Sequence, residues 1–103
     1  MNRESTARNL HRSGNNCAAS VYKTFADKVN GQAPLPRAEG GKCGAYLAAR
    51  NILIECNKDP LEAEKAFTEN FGSISCADLR KTGVSCNDLV AFAAALVERE
   101  TDA

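Results

Sequence analysis

The sequence predicts an all-α fold: a small single-domain bundle of about five or six helices, with a long loop before the third. Three observations predict it. Aromatic residues make up only 6% of the chain and Trp is absent, so alanine carries much of the apolar surface and suits close helix–helix approach. Val and Ile are too sparse for several strands, and Asn30-Gly31 has no alternating run after it to complete a hairpin. Apolar residues instead recur at three- and four-residue spacing between capping residues, glycines and prolines. At 103 residues the chain (1–103) is expected to be one domain, large enough for a modest core without disulfide staples.

The elements follow in order. The first helix is expected from about Ser5 to Arg12, ended by Gly14. A second begins near Asn16, places Cys17, Val21 and Phe25 on one stripe, and ends by Asn30-Gly31. Residues 30 to 41 contain Pro34, Pro36, Gly40 and Gly41, a connection long enough to serve as a lid or binding element. The third helix spans about Lys42 to Cys56, with Ala45, Ala48, Ile52 and Cys56 on one stripe. Asp59-Pro60 then gives an N-cap and a proline at the first helical position, and Glu62 completes a capping box. That helix carries Ala63, Ala66, Phe67 and Phe71 and stops at Gly72.

The last two helices share a start. Ser-Cys-x-Asp-Leu occurs twice, as Ser75-Cys76-Ala77-Asp78-Leu79 and Ser85-Cys86-Asn87-Asp88-Leu89. Each copy reads as a Ser N-cap with Asp three residues later, which puts each Cys at the first helical position. Gly83 ends the first piece, and the final helix carries Cys86, Leu89, Val90, Ala93 and Val97 on one face.

Composition narrows the function classes. Thirteen Lys and Arg balance thirteen Asp and Glu, so no net charge calls for nucleic acid or an acidic membrane surface. The first fifty residues lean basic and the remainder acidic, which complementary helix faces within one fold explain. The N-terminus is polar, without an apolar run, and no stretch approaches membrane-spanning length. A cytoplasmic protein is therefore expected. There the redox poise keeps structural disulfides reduced, and an odd number of cysteines (five) argues against a fully paired framework. Clustered cysteines in that compartment point to redox chemistry or metal binding.

Cys17, Cys43, Cys76 and Cys86 all stand at expected helix starts, where unpaired N–H groups and the positive end of the helix dipole favour a thiolate. Asp78 and Asp88 oppose that effect at two of them. Cys43 follows Lys42 and has no acid in its first turn, so it is expected to be the most thiolate-like; Cys76 and Cys86 are the expected reversible pair. Four thiolates brought together without a cation are costly, which leaves neutral thiols, disulfides, or a bound Zn or iron–sulfur cluster. No C-x2-C turn is present, which weakens a zinc-ribbon reading. Cys56 lies thirteen residues from Cys43, roughly 20 Å along a helix, and reads as a small buried hydrophobe. His11 reads as a surface residue, with metal ligation or proton shuttling as its alternative; Tyr22 and Tyr46 read as packing residues. No nucleophile–His–acid triad, phosphate loop or metalloprotease motif is present.

The contexts Gly14-Asn15-Asn16-Cys17-Ala18-Ala19-Ser20-Val21 and Gly41-Lys42-Cys43-Gly44-Ala45-Tyr46-Leu47-Ala48, followed by Cys76 with Leu79 and then Cys86, resemble the C_GCAxxG_C_C family of small prokaryotic redox-active proteins. The resemblance spans about residues 8 to 97. It implies that Cys17, Cys43, Cys76 and Cys86 are the functional cysteines, and it leaves Cys56 without a counterpart. The closing Gly of the motif is Ala48 here, which implies slightly wider packing against a neighbouring element.

The expected function is thiol–disulfide or electron-transfer chemistry at Cys17, Cys43, Cys76 and Cys86, with a redox partner protein or small thiol. Access to Cys43 is expected to be governed by the loop 30–42. The alternatives are a Zn or iron–sulfur site on the same four cysteines, and a non-catalytic helical interaction module.

Overall fold

Capping residues and glycines set where the helices begin and end. The computed structural model describes residues 3–30 and 38–102. Among them the helices are α1 (Arg3–Arg12), α2 (Cys17–Thr24), α3 (Ala38–Gly41), α4 (Gly44–Glu55), α5 (Leu61–Phe71), α6 (Cys76–Lys81) and α7 (Cys86–Asp102). Six of these are longer than one turn, and the all-α expectation holds. The only β pairing among the described residues is an isolated antiparallel bridge between Lys42 and Ser75. Pro34 and Pro36 of the expected lid lie outside the described residues; the end of that connection is the single turn α3.

Local chemistry explains each boundary. Asn16 Oδ1 accepts the Ala19 N–H at 2.7 Å, so α2 starts at Cys17. It stops at Thr24, earlier than the sequence pattern suggests. The Arg3 guanidinium donates to the Thr24 carbonyl at 2.7 Å, and the Lys28 N–H turns instead to the Phe25 carbonyl. The ladder has already tightened by then, with the Phe25 and Ala26 N–H groups bonded three residues back to the Tyr22 and Lys23 carbonyls. Helix α4 closes with Asn57 in the left-handed region (φ 60°) and the Lys58 N–H bonded back to the Leu53 carbonyl, a Schellman-type end. Asp59 Oδ1 accepts the Leu61 N–H to open α5, and Gly72 (φ 80°) closes it.

The core centres on α7. Helices α1, α2 and α4 pack on it, α2 also packs on α4, and α5 lies mainly on α4. Small residues permit the close approach: Ala18, Ala45, Ala48, Ala49, Ala93 and Ala94 have no exposed surface. Ala48 is thus a packed interior residue. Phe67 is the hub of an aromatic cluster, meeting Tyr46, Phe71 and Phe92 edge-on with ring centroids 5.2–5.8 Å apart. None of the buried side-chain polar atoms of the described residues lacks a hydrogen bond.

Helix α1 grips the start of α7. Arg8 Nη1 donates to Asn87 Oδ1 and Asp88 Oδ1, both at 3.0 Å, and Asn87 Nδ2 donates to the Arg8 carbonyl. The His11 ring lies 3.2 Å from the same Asn87 amide. His11 is therefore half-buried against α7, whereas the sequence suggested a surface position.

At the other end of α1, Arg3 makes a two-pronged pair with Asp27 and covers the Phe25 ring. The Arg3 bonds hold the Asp27 carboxyl down at about 2. A carboxyl with a depressed folded-state pKa adds stability above its unfolded pKa and loses it on acidification. The window here runs from about 4 down to about 2. Asp27→Asn should therefore flatten the dependence of urea-denaturation midpoint on pH across that window; an unchanged profile would rule out this pair as a source of acid sensitivity.

Candidate functional site: a four-cysteine cavity

Each of the four cysteines is delivered by a different chain segment. Cys17, Cys76 and Cys86 are the first residues of α2, α6 and α7, and Cys43 is the N-cap residue of α4. All four line one cavity of about 220 Å³. Leu79, Val84 and Leu89 make its apolar wall, Asn16 and Gly44 border it, and among the described residues Arg80 is the one charged side chain on its lining. The four cysteines singled out by the sequence are thus brought to one cavity.

Backbone pairing fixes part of this arrangement. The Cys43 N–H donates to the Ile74 carbonyl at 2.8 Å beside the Lys42–Ser75 bridge. Cys76, two residues beyond Ile74, is thus a diagonal neighbour of Cys43 across the pairing. The cap at Ser75 differs from the expected one. Its side chain makes no capping bond; Ser73 Oγ accepts the Ser75 N–H and donates to Asp78. Only the second pentapeptide closes as expected, with Ser85 Oγ accepting the Asp88 N–H at 3.1 Å. Asp88 in turn is held below the usual carboxylate range by Arg8 and then by the Ser85 hydroxyl.

The thiols grade from open to sealed. Cys86 is exposed, Cys17 and Cys76 are intermediate, and Cys43 is 4% exposed. Burial pushes the Cys43 thiol up from 9.0 to about 11, against the pull of the Tyr46 and Ala45 amides; Cys17 and Cys76 nearby push the same way. The Cys17 thiol is raised by burial and then by Cys86, with the Ala18 and Ala45 amides opposing. This overturns the expectation that Cys43 is the most thiolate-like. A helix start favours an anion by about 0.3–1 kcal/mol, up to about 2 when partly buried. Two pKa units of net rise correspond to ~3 kcal/mol against the anion. Desolvation wins because the leading residue of α4 is inside the molecule.

Cys56 stands apart, as geometry demanded. It caps the far end of α4 and packs partly buried against the core. Tyr46 belongs to the aromatic cluster, and the Tyr22 hydroxyl donates to Glu55. The residues that sequence reasoning missed are the wall, Leu79, Val84 and Leu89. Two of the three carry a legible signal, because each pentapeptide repeats Leu one turn after its Cys.

All five cysteines are free thiols. Among the described residues no group of three or more His, Cys, Asp or Glu side chains is arranged to hold a metal ion. The mononuclear zinc arrangement considered from the sequence does not fit these side chains as they stand. None of the helices among the described residues is long and apolar enough to cross a membrane. Compared with known proteins, the chain matches no family model, no curated protein and no solved structure.

Proposed function

We propose that this protein is a thiol–disulfide redox protein whose working groups are Cys17, Cys43, Cys76 and Cys86. One observation carries the reading: thiols from four separate helix starts line a single cavity, and one of them, Cys86, is exposed. Isolated core cysteines would instead be sealed singly among aliphatic neighbours. The resemblance of these four cysteines and their contexts to the C_GCAxxG_C_C family supports the same choice of residues. Cytoplasmic residence suits the cycle, because glutathione and thioredoxin there regenerate reduced thiols.

The chemistry begins at the exposed thiol. A Cys86 thiolate attacks a disulfide borne by a small thiol or a partner protein, and one sulfur of that disulfide leaves as a thiolate. A neighbouring thiolate of the cavity then attacks Cys86 Sγ, closes an internal disulfide and releases the second sulfur. Two protein thiols lose two electrons and the incoming disulfide gains them. Incubation with oxidised glutathione, followed by alkylation and peptide mass mapping, should show cavity cysteines lost to disulfides while Cys56 stays alkylatable. Five alkylated cysteines at every glutathione ratio would end this proposal.

A second reading uses the same four thiols. An iron–sulfur cluster contains more than one iron and spreads its thiolate ligands further apart than one zinc ion does. Cys17, Cys43, Cys76 and Cys86 would hold it, and it would supply one-electron transfer. Iron and acid-labile sulfide in stoichiometric amounts after anaerobic purification decide for this reading; colourless protein without either decides against it.

A further inference from the structure

The four thiols of the cavity differ in exposure. Cys86 is exposed, Cys17 and Cys76 are half-buried, and Cys43 is buried with Cys17 and Cys76 near it. The Lys42–Ser75 bridge and the Cys43–Ile74 hydrogen bond tie the segments of Cys43 and Cys76 to each other. Resting on the thiol–disulfide reading, we propose that the four thiols act as two pairs in series. Cys17 and Cys86 form the outer pair, Cys43 and Cys76 the inner pair, and the disulfide passes inward through a transient Cys17–Cys43 bond. The sequence favoured Cys76 with Cys86 as the reversible pair; the bridge gives Cys76 a different neighbour.

Electrostatic neighbours follow the same order. Cys17 is raised by Cys86, and Cys43 is raised by Cys17 and Cys76. The Ala45 N–H, in the first turn of α4, acts on both the Cys17 and the Cys43 sulfur, so these two stand on either side of one donor. That donor stabilises whichever of the two carries charge during exchange.

Each step balances. The Cys43 thiolate attacks Cys17 Sγ of the outer disulfide, the Cys17–Cys86 bond breaks, and Cys86 leaves as a thiolate that takes a proton. The Cys76 thiolate then attacks Cys43 Sγ, the Cys17–Cys43 bond breaks, and Cys17 leaves. No electrons enter or leave during this transfer. The outer pair is again a dithiol and can reduce a second disulfide, so one chain delivers four electrons. The attacking Cys43 must ionise, and its thiol lies near 11. Inward transfer is therefore slow at neutral pH and should quicken about tenfold per pH unit below that value.

The test uses the full chain and oxidised glutathione as the probe. Cleavage after Lys and Arg leaves each of the five cysteines on its own peptide, so linkages are read directly by mass. Expected is a Cys17–Cys86 link first, a Cys43–Cys76 link later, and four thiols lost at completion. Cys43→Ser and Cys76→Ser should each retain the first link and stop after two thiols; the second variant, at a partly exposed site, guards against a folding defect at Cys43. Stable Cys76–Cys86 or Cys17–Cys43 links as end products, or a Cys43–Cys76 link that precedes the outer one, overturn the series arrangement while leaving the redox function in place. Absence of any cavity disulfide overturns both.

Discussion

Iodoacetamide at neutral pH is expected to modify Cys86 first and Cys43 last. The thiolate is the reacting species, so its population and its access both set the rate. With the Cys43 thiol pushed from 9.0 to about 11, its thiolate is about a hundredfold scarcer at neutral pH than that of an ordinary thiol. Its 4% exposure slows it further, while Cys86 is open to solvent. Cys17, raised by burial and by Cys86, should react more slowly than Cys86. Timed alkylation of the folded protein, read peptide by peptide, measures these rates together, and denaturant should erase the differences. Labelling of Cys43 as fast as Cys86 in the folded state would show that desolvation does not govern the site. The same shift acts on stability. A thiol whose folded pKa is raised stabilises the fold below its unfolded pKa, and that contribution is lost as pH rises from about 9 through about 11.

Phe67→Ala should be the most damaging single truncation in the aromatic cluster, costing about 3–5 kcal/mol. Phe67 has no exposed surface and makes edge-on contacts with Tyr46, Phe71 and Phe92, each such pair adding about 0.5–1.5 kcal/mol beyond area burial. Domains of this size have about 5–15 kcal/mol of total stability, so the variant forfeits a large fraction of it. Urea denaturation gives the value. Phe67→Leu, which refills much of the volume, should lose less, and a loss below about 1 kcal/mol in the Ala variant would show that the cluster is not the keystone of the core. Helix α5 contributes nothing to the cavity lining, so the Leu variant should keep the alkylation order of the cysteines.

Most of the helices were legible in the sequence because their signals are local. Gly72 and Gly83 lie just past helix ends, Asp59 caps α5, and the stripe of Cys86, Leu89, Val90, Ala93 and Val97 marks α7. Position at a helix start was legible for all four cavity cysteines for the same reason. What escaped depends on distant partners. The early end of α2 carries a bond from Arg3, twenty-one residues away, to the Thr24 carbonyl. The unclosed cap at Ser75 accompanies a bridge to Lys42, and the half-burial of His11 comes from contact with α7.

The sequence by itself determined that this is a helical protein whose four cysteines each open a helix, because caps, glycines and apolar spacing act over a few residues. Tertiary structure alone decided that those helix starts share one cavity, that Cys86 faces outward and that Cys43 is sealed within it. The physical reason is range. A helix dipole is inherited from the local chain, but desolvation depends on which other segments cover the sulfur, and at Cys43 that cover outweighs the dipole.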